Sequence, residues 1–202
     1  FSAITDGMGG VIGGGIASQT IIETVEKAIK IFYEDWNKEF NLKNILLNIY
    51  SEAQSSIRRK ILKNPNLQGM GATLSCLLIH NNKCVWGNIG DSRIYKLTKS
   101  KCIRMTKDHT KAEEYSTNKH SDTPQEFAEY YSNILTKAVN GKNDQPDIYP
   151  KSSIYHELNI NEGFLICSDG LLINKLGNEE EVFHDHFIKN KSIKKFVNSL
   201  IT

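Results

Sequence analysis

The stretch TDGMGG at residues 5–10 follows a short apolar run, FSAI at residues 1–4. The segment FLICSDG at residues 164–170 has the same form, an apolar run that ends in an Asp-Gly pair. Both patterns predict a buried strand that delivers its aspartate, Asp6 or Asp169, to a turn. A carboxylate followed by glycine suits a hard cation, because glycine lets its own carbonyl approach the ion closely. The two segments therefore suggest one metal centre built from two strands.

The length and the charge of the chain limit the number of domains and the kinds of partner that it can have. Its 202 residues fit one domain with a sizeable core. The net charge is +2 with acids and bases interspersed, which gives no case for a nucleic-acid or membrane partner. No apolar run approaches the length of a membrane span, and we expect no secretory signal. We expect a single domain over residues 1–202 that acts as a monomer.

Four cysteines occur, with no C-x-x-C pair among them: Cys76, Cys84, Cys102 and Cys167. Three of them lie in strand-like segments with apolar neighbours, which favours buried free thiols over metal ligands. Free thiols suit a reducing compartment, so we expect a cytoplasmic protein.

Periodicity predicts the secondary structure. Apolar residues recur at helical spacing over 17–36 and again over 45–61, while the Gly-rich stretch 9–15 between the first strand and the first helix is expected not to be helical. Strand-like runs at 73–80, 84–89, 93–97 and 103–105 are joined by short turns and predict an antiparallel meander. Residues 113–126 are polar without a core stripe and predict a mobile surface insertion. Two amphipathic segments, 178–188 and 191–201, predict closing helices.

Ordinary structural roles compete with chemical ones at several positions. A lone Asp-Gly pair is usually a turn. The triplet His184-Asp185-His186 is expected on a solvated helix face, because adjacent helical residues point about 100° apart. In the GDSR stretch at 90–93, Asp91 can cap the turn and Arg93 can pair with a buried acid. Thr73 is expected to be a buried position in a strand.

Six short segments occur in a fixed order: DGMGG at 6–10, MGATL at 70–74, GDSRIY at 90–95, MTKDHT at 105–110, ILTKA at 134–138 and LICSDGL at 165–171. Each motif alone is weak, but together they extend over roughly residues 1–175. With these six segments the chain resembles the metal-dependent serine/threonine protein phosphatases of the 2C type, in their bacterial form.

The resemblance implies an α/β fold, an α-β-β-α sandwich of two mainly antiparallel sheets flanked by helix pairs. It assigns Asp6 as the carboxylate that bridges two Mn²⁺ or Mg²⁺ ions, with the Gly7 carbonyl on one ion and Asp169 on the other. Asp108 would join Asp169 at a third metal site. Residues 111–150 would form a variable flap beside the active site.

The implied reaction is hydrolysis of phosphoserine and phosphothreonine on proteins, with a hydroxide that bridges the two ions as nucleophile. Asp6 and Asp169 are then the catalytic residues, and the ions offset charge on the phosphoryl oxygens. Met8 stands where animal members have histidine and has no proton to donate to the leaving group.

The chain also departs from the family pattern. The Glu-Asp pair and phosphate-binding arginine that precede the Asp6 motif in the family have no counterpart, and neither does the closing Asp-Asn. Two explanations are open: the sequence is a piece of a longer phosphatase, or it is a catalytically inactive, phosphatase-like binding or regulatory module.

Overall fold

The computed structural model shows helices packed against antiparallel sheets. The residues that it describes are 1–8, 10–33, 41–117, 130–142, 147–150, 156–171, 178–190 and 192–201. The helices are α1 (Gly10–Tyr33), α2 (Leu42–Lys63), α3 (Lys111–Thr117), α4 (Glu179–Lys189) and α5 (Ile193–Ile201). The strands are β1 (Ser2–Ile4), β2 (Gly7–Met8), β3 (Gly71–Ala72), β4 (Leu74–His80), β5 (Lys83–Ile89), β6 (Arg93–Leu97), β7 (Cys102–Arg104), β8 (His156–Glu157) and β9 (Gly163–Cys167).

Within the described residues, the strands form a four-stranded sheet in the order β1-β4-β5-β8, a three-stranded sheet in the order β7-β6-β9, and the short pair β2-β3. Every pairing is antiparallel. Helices α1 and α2 pack together on the four-stranded sheet, and α4 and α5 cover the other sheet. The α/β sandwich expected from the sequence is confirmed.

The first helix pair buries the stripes that periodicity predicted. On α1 the buried hydrophobic positions include Ala17, Ile21, Val25 and Ile29, and on α2 they include Ile45, Ile49, Ala53 and Ile57. Asn41 caps α2, since its side chain accepts a hydrogen bond from the Asn44 N–H at 3.2 Å. Residues 34–40, which hold the end of the first predicted stripe, lie outside the described residues.

The expectation that residues 9–15 are not helical is wrong, because α1 begins at Gly10. The glycines serve a close approach between α1 and β2. A Cβ added to Gly14 would lie 2.9 Å from the Gly7 carbonyl carbon, a separation that real Cβ atoms do not adopt. A contact between two different elements therefore explains why a helix begins with residues of poor helix propensity.

The predicted meander is also wrong at one turn. Strands β4 and β5 form a hairpin and β6 pairs with β7, but β5 and β6 lie in different sheets. The chain changes sheets at Gly90, whose φ of +106° lies in the region that favours glycine. The Gly90-Asp91-Ser92 turn is therefore a crossover between sheets, and it places Asp91 between them.

The closing helices are found as α4 and α5, which confirms that prediction. They bury Phe183, Phe196 and Leu200 against the three-stranded sheet. The Tyr95 and Phe183 rings meet edge to face with centroids 5.0 Å apart. His184 and His186 on α4 contact the Lys99 carbonyl and the Ser199 hydroxyl, as side chains of an ordinary helix face do.

Helix α3 was not predicted, although it buries no side chain and so agrees with the missing core stripe. Thr110 caps it, since its Oγ1 accepts from the Glu113 N–H at 3.2 Å. From residue 118 to its end at 126, the predicted insertion lies outside the described residues. All four cysteines are buried thiols and none of them is in a disulfide, as expected. Among the described residues, no helix is both long and apolar enough to span a membrane.

Candidate metal centre

Asp6 and Asp169 come from different sheets and meet between them. Asp6 occupies the two-residue link from β1 to β2, and Asp169 opens a short 3₁₀ turn after β9. Strands β1 and β9 contact each other, which brings both strand ends to one side of the sandwich. The charge of Asp169 and a side-chain interaction with it both raise the pKa of the Asp6 carboxyl, so the two side chains are neighbours. The structure therefore brings together the two acids on which the sequence argument rests.

The surroundings of Asp6 make its ionised form unfavourable. Burial raises the pKa of the Asp6 carboxyl, and the charge of Asp169 raises it further, while the Gly7 N–H partly offsets both effects. Two carboxyl groups this close hold their charges at a cost unless a proton or a cation lies between them.

Asp91 belongs to the same group, and the sequence interpretation missed it. Burial raises the pKa of Asp91 to about 6, and the charges of Asp169, Asp108 and Asp6 also raise it. The signal was in the sequence, because Asp91 follows the apolar strand β5 and a glycine at a turn, much as Asp6 and Asp169 follow their strands. We name Asp6, Asp91 and Asp169 the acidic triad.

Asp108 has a different environment, and its contacts weigh against the predicted metal role. Arg93 donates from Nε to both carboxylate oxygens at 3.1 Å and from Nη2 to Oδ2 at 2.6 Å. Arg104 Nη2 makes an ionic contact of 2.5 Å with Oδ1. A buried carboxylate whose two oxygens already face two guanidinium groups is a poor ligand for a further cation.

The prediction that Arg93 pairs with a buried acid is confirmed. Its Nη1 also donates to Glu179 Oε2 at 2.6 Å, and the Tyr95 hydroxyl donates to Glu179 Oε1 at 2.7 Å. Arg93 and Asp108 therefore connect the sheet to the start of α4. The charge of Arg93 is taken up by Asp108 and Glu179, so it does not balance the acidic triad.

A cavity of about 500 Å³ opens beside the triad. Asp91 and Asp169 line it together with the Arg93–Asp108 pair, and polar side chains from α3, from its capping residue and from residues 132–133 form other parts of its wall. These polar residues include Thr110, Glu113, Ser116, Ser132 and Asn133. The cavity gives a polar ligand access to the carboxylates.

The residues present fit divalent cations in part. Hard cations bind carboxylate and carbonyl oxygens, which Asp6, Gly7, Asp91 and Asp169 offer. The mutual repulsion in the triad is the kind that a cation relieves. In the part of the chain that the structure describes, however, no three His, Cys, Asp or Glu side chains close around one point as a complete cage would. The described residues thus supply a partial ligand shell.

Comparison with known proteins identifies relatives in sequence and in fold. The serine/threonine protein phosphatase PstP of Mycobacterium tuberculosis is 29% identical over 170 residues, which are 84% of this chain. The crystal structure of the PstP catalytic domain in complex with two manganese ions has a TM-score of 0.78 at 26% identity and covers 98% of this chain and 78% of that one. Staphylococcus aureus Stp1 shares the fold, with a TM-score of 0.80 at 24% identity over 98% of this chain and 75% of that one.

The chain spans only 31% of the length of full PstP, so the similarity concerns one part of that protein. The family model of protein phosphatase 2C matches residues 1–196. This match extends over almost all of the sequence, and it shows that the chain belongs to the protein phosphatase 2C family.

Proposed function

We propose that this chain is the catalytic part of a metal-dependent phosphatase that hydrolyses phosphoserine and phosphothreonine on proteins. The observation that carries the proposal is the acidic triad, three carboxyl groups from three turns whose charges oppose one another. The family match supports it, as does the similarity to a phosphatase domain that binds two manganese ions.

The ligand assignment follows the sequence prediction with one change. We propose that the Asp6 carboxylate, the Gly7 carbonyl and the Asp169 carboxylate would hold two Mn²⁺ or Mg²⁺ ions. For a third ion we propose Asp91 with Asp169 in place of Asp108. The reason is that Asp91 repels its acidic neighbours, whereas Asp108 is already neutralised by Arg93 and Arg104.

Bound divalent cations would supply Lewis-acid activation of water and charge compensation for the phosphoryl oxygens. The chain itself holds the three carboxyl groups of the triad in fixed positions, because each belongs to a turn that follows a strand of the packed sheets. Met8 offers no proton to the leaving group. None of the four cysteines is needed, and burial withholds all of them from the substrate.

We propose that residues 111–150 form the flap beside the substrate. Support comes from α3 and residues 132–133, which contribute Glu113, Ser116, Ser132 and Asn133 to the cavity wall next to Asp91 and Asp169. A phosphorylated protein segment would enter this cavity. We also propose a monomer, and a cytoplasmic location in view of the four buried thiols, none of which is in a disulfide.

The test is phosphate release from a phosphothreonine peptide by the natural polypeptide that contains this sequence. Turnover should require Mn²⁺ or Mg²⁺, stop with a chelator and resist a thiol-blocking reagent. Asp6→Asn should lower kcat/KM by several orders of magnitude, because it removes a charged ligand. Metal binding without turnover would instead favour a binding or regulatory module.

A further inference from the structure

Thr73 lies between β3 and β4 and holds the backbone of Asp6 from two directions. Its N–H donates to the Asp6 carbonyl at 2.8 Å, and its Oγ1 accepts from the Asp6 N–H at 2.9 Å. Only 2% of Thr73 is exposed, so solvent has little access to these bonds. They occur where the β1–β4 and β2–β3 ladders meet. One residue therefore fixes the backbone from which the Asp6 carboxylate projects.

The same side chain also reaches the turn that carries Asp91. Thr73 Oγ1 lies 2.8 Å from the hydroxyl of the fully buried Ser92. The Ser92 carbonyl is itself held by the Ser75 hydroxyl, which donates to it at 3.0 Å. The Thr73 methyl group lies against Gly90, since a Cβ on Gly90 would be 2.5 Å from Thr73 Cγ2. Thr73 thus contacts the Asp6 turn through its N–H and its hydroxyl. It contacts the Asp91 turn through its hydroxyl and its methyl group.

Thr73 joins two turns that are distant in the sequence. Asp6 and Asp91 each lie in one of these turns, and the Thr73 hydroxyl accepts from the Asp6 N–H and lies against the Ser92 hydroxyl. A cation binds well only if its ligands are already near their bound positions, because any rearrangement reduces the binding free energy. The contacts of Thr73 hold the two turns in one relative position before a cation binds.

We propose that Thr73 is a positioning residue of the metal centre, whose hydroxyl fixes the Asp6 turn against the Asp91 turn in the arrangement that binds divalent cations. This inference rests on the proposed function. It goes beyond a buried strand position, which would require the methyl group and the volume of the side chain but not its oxygen.

Two substitutions separate the hydroxyl from the volume. Thr73→Val keeps the shape but leaves the Asp6 N–H without its acceptor and breaks the contact with Ser92. Thr73→Ser keeps the oxygen and loses the methyl group. A matched control is Thr24→Val between α1 and α2, where Thr24 Oγ1 donates to the Thr20 carbonyl at 2.7 Å and lies 3.0 Å from Ser56 Oγ.

The experiment measures Mn²⁺ affinity by electron paramagnetic resonance, together with phosphate release and a urea unfolding curve, on the natural polypeptide. Thr73→Val should remain folded and bind Mn²⁺ about 10- to 100-fold more weakly, the usual effect of losing a residue that orients a metal ligand. Thr73→Ser should recover most of the affinity, and Thr24→Val should leave it unchanged.

A folded Thr73→Val variant with the Mn²⁺ affinity of the unaltered protein would overturn the inference, as would a Thr73→Ser variant as weak as Thr73→Val. If Thr73→Val does not fold, Ser92→Ala decides, because it removes the connection and leaves Thr73 to accept from Asp6. Weaker Mn²⁺ binding in Ser92→Ala would support the inference, and unchanged binding would refute it. Absence of Mn²⁺ binding by the unaltered protein would refute the metal centre itself, a separate result.

Discussion

Replacing Asp91 with asparagine should stabilise the metal-free protein at neutral pH. In the unfolded chain Asp91 ionises with its ordinary pKa of 3.8, but in the folded protein burial and neighbouring carboxylates raise this pKa to about 6. The folded state therefore binds this proton more tightly than the unfolded state. Its free energy of unfolding falls as pH rises from about 4 through 6, and the full cost of the charge is present at pH 7.

The size of the effect follows from the same pKa values. A rise from 3.8 to about 6 corresponds to about 3 kcal/mol at pH 7 if the whole shift acted on stability. The Asp91 side chain is partly exposed, so solvent screening reduces this to roughly 1–2 kcal/mol. Asp91→Asn should recover about that amount at pH 7 and almost none at pH 4, where the carboxyl is largely protonated in the folded protein.

Urea unfolding in the presence of a chelator, at pH 7 and at pH 4, measures both quantities. Asp185→Asn is the matched control, since Asp185 is 64% exposed and pairs with Lys189 on the same helix at 3.2 Å; it should change stability by no more than about 0.5 kcal/mol. With Mn²⁺ added, the unaltered protein should gain more stability than Asp91→Asn. A metal-free Asp91→Asn variant less stable than the unaltered protein at pH 7, or equally stabilised at both pH values, would refute the reasoning.

Two pairs of substitutions test the packing that places the site. Gly14→Ala should destabilise the protein by about 1–3 kcal/mol in thermal unfolding, because its Cβ meets the Gly7 backbone at 2.9 Å. Gly15→Ala, whose Cβ meets nothing within 4 Å, should instead stabilise α1 by up to about 1 kcal/mol, and equal effects would contradict this account of the N-terminal glycines. Arg93→Met should cost about 3–5 kcal/mol in urea unfolding because it leaves Asp108 and Glu179 without their shared cation. Arg59→Met, at a side chain 60% exposed, should cost less than about 1 kcal/mol, and a similar loss in both arginine variants would argue against the buried network.

Local patterns in the sequence predicted most of the elements, because helical and strand periodicity depends on which face of each element is buried. The stripe from Ala17 to Ile29 and the hairpin of β4 and β5 are examples. The start of α1 could not be predicted in the same way. Its glycines are explained by the contact between Gly7 and Gly14, which are seven residues apart and in different elements.

The roles of the acidic residues depend on residues that are close in the fold but distant in the sequence, and a local sequence pattern does not show these contacts. Asp91 and Asp108 both follow strand-like segments, and the sequence does not show which one faces an arginine. The crossover at Gly90 decides this, because it turns Asp91 toward Asp6 and Asp169, while Arg93 on the next strand holds Asp108. A motif predicted the metal centre, but only the packing of two sheets identified the third acid.

The most direct test of the account is Mn²⁺ binding measured together with phosphate release, on the same samples of the natural polypeptide. We expect Asp6→Asn and Asp169→Asn each to weaken Mn²⁺ binding and to lower hydrolysis of a phosphothreonine peptide in parallel. The control Asp185→Asn, at an exposed position of α4, should change neither. If Asp6→Asn retained both the Mn²⁺ affinity and the turnover of the unaltered protein, the metal centre proposed between the two sheets would be contradicted.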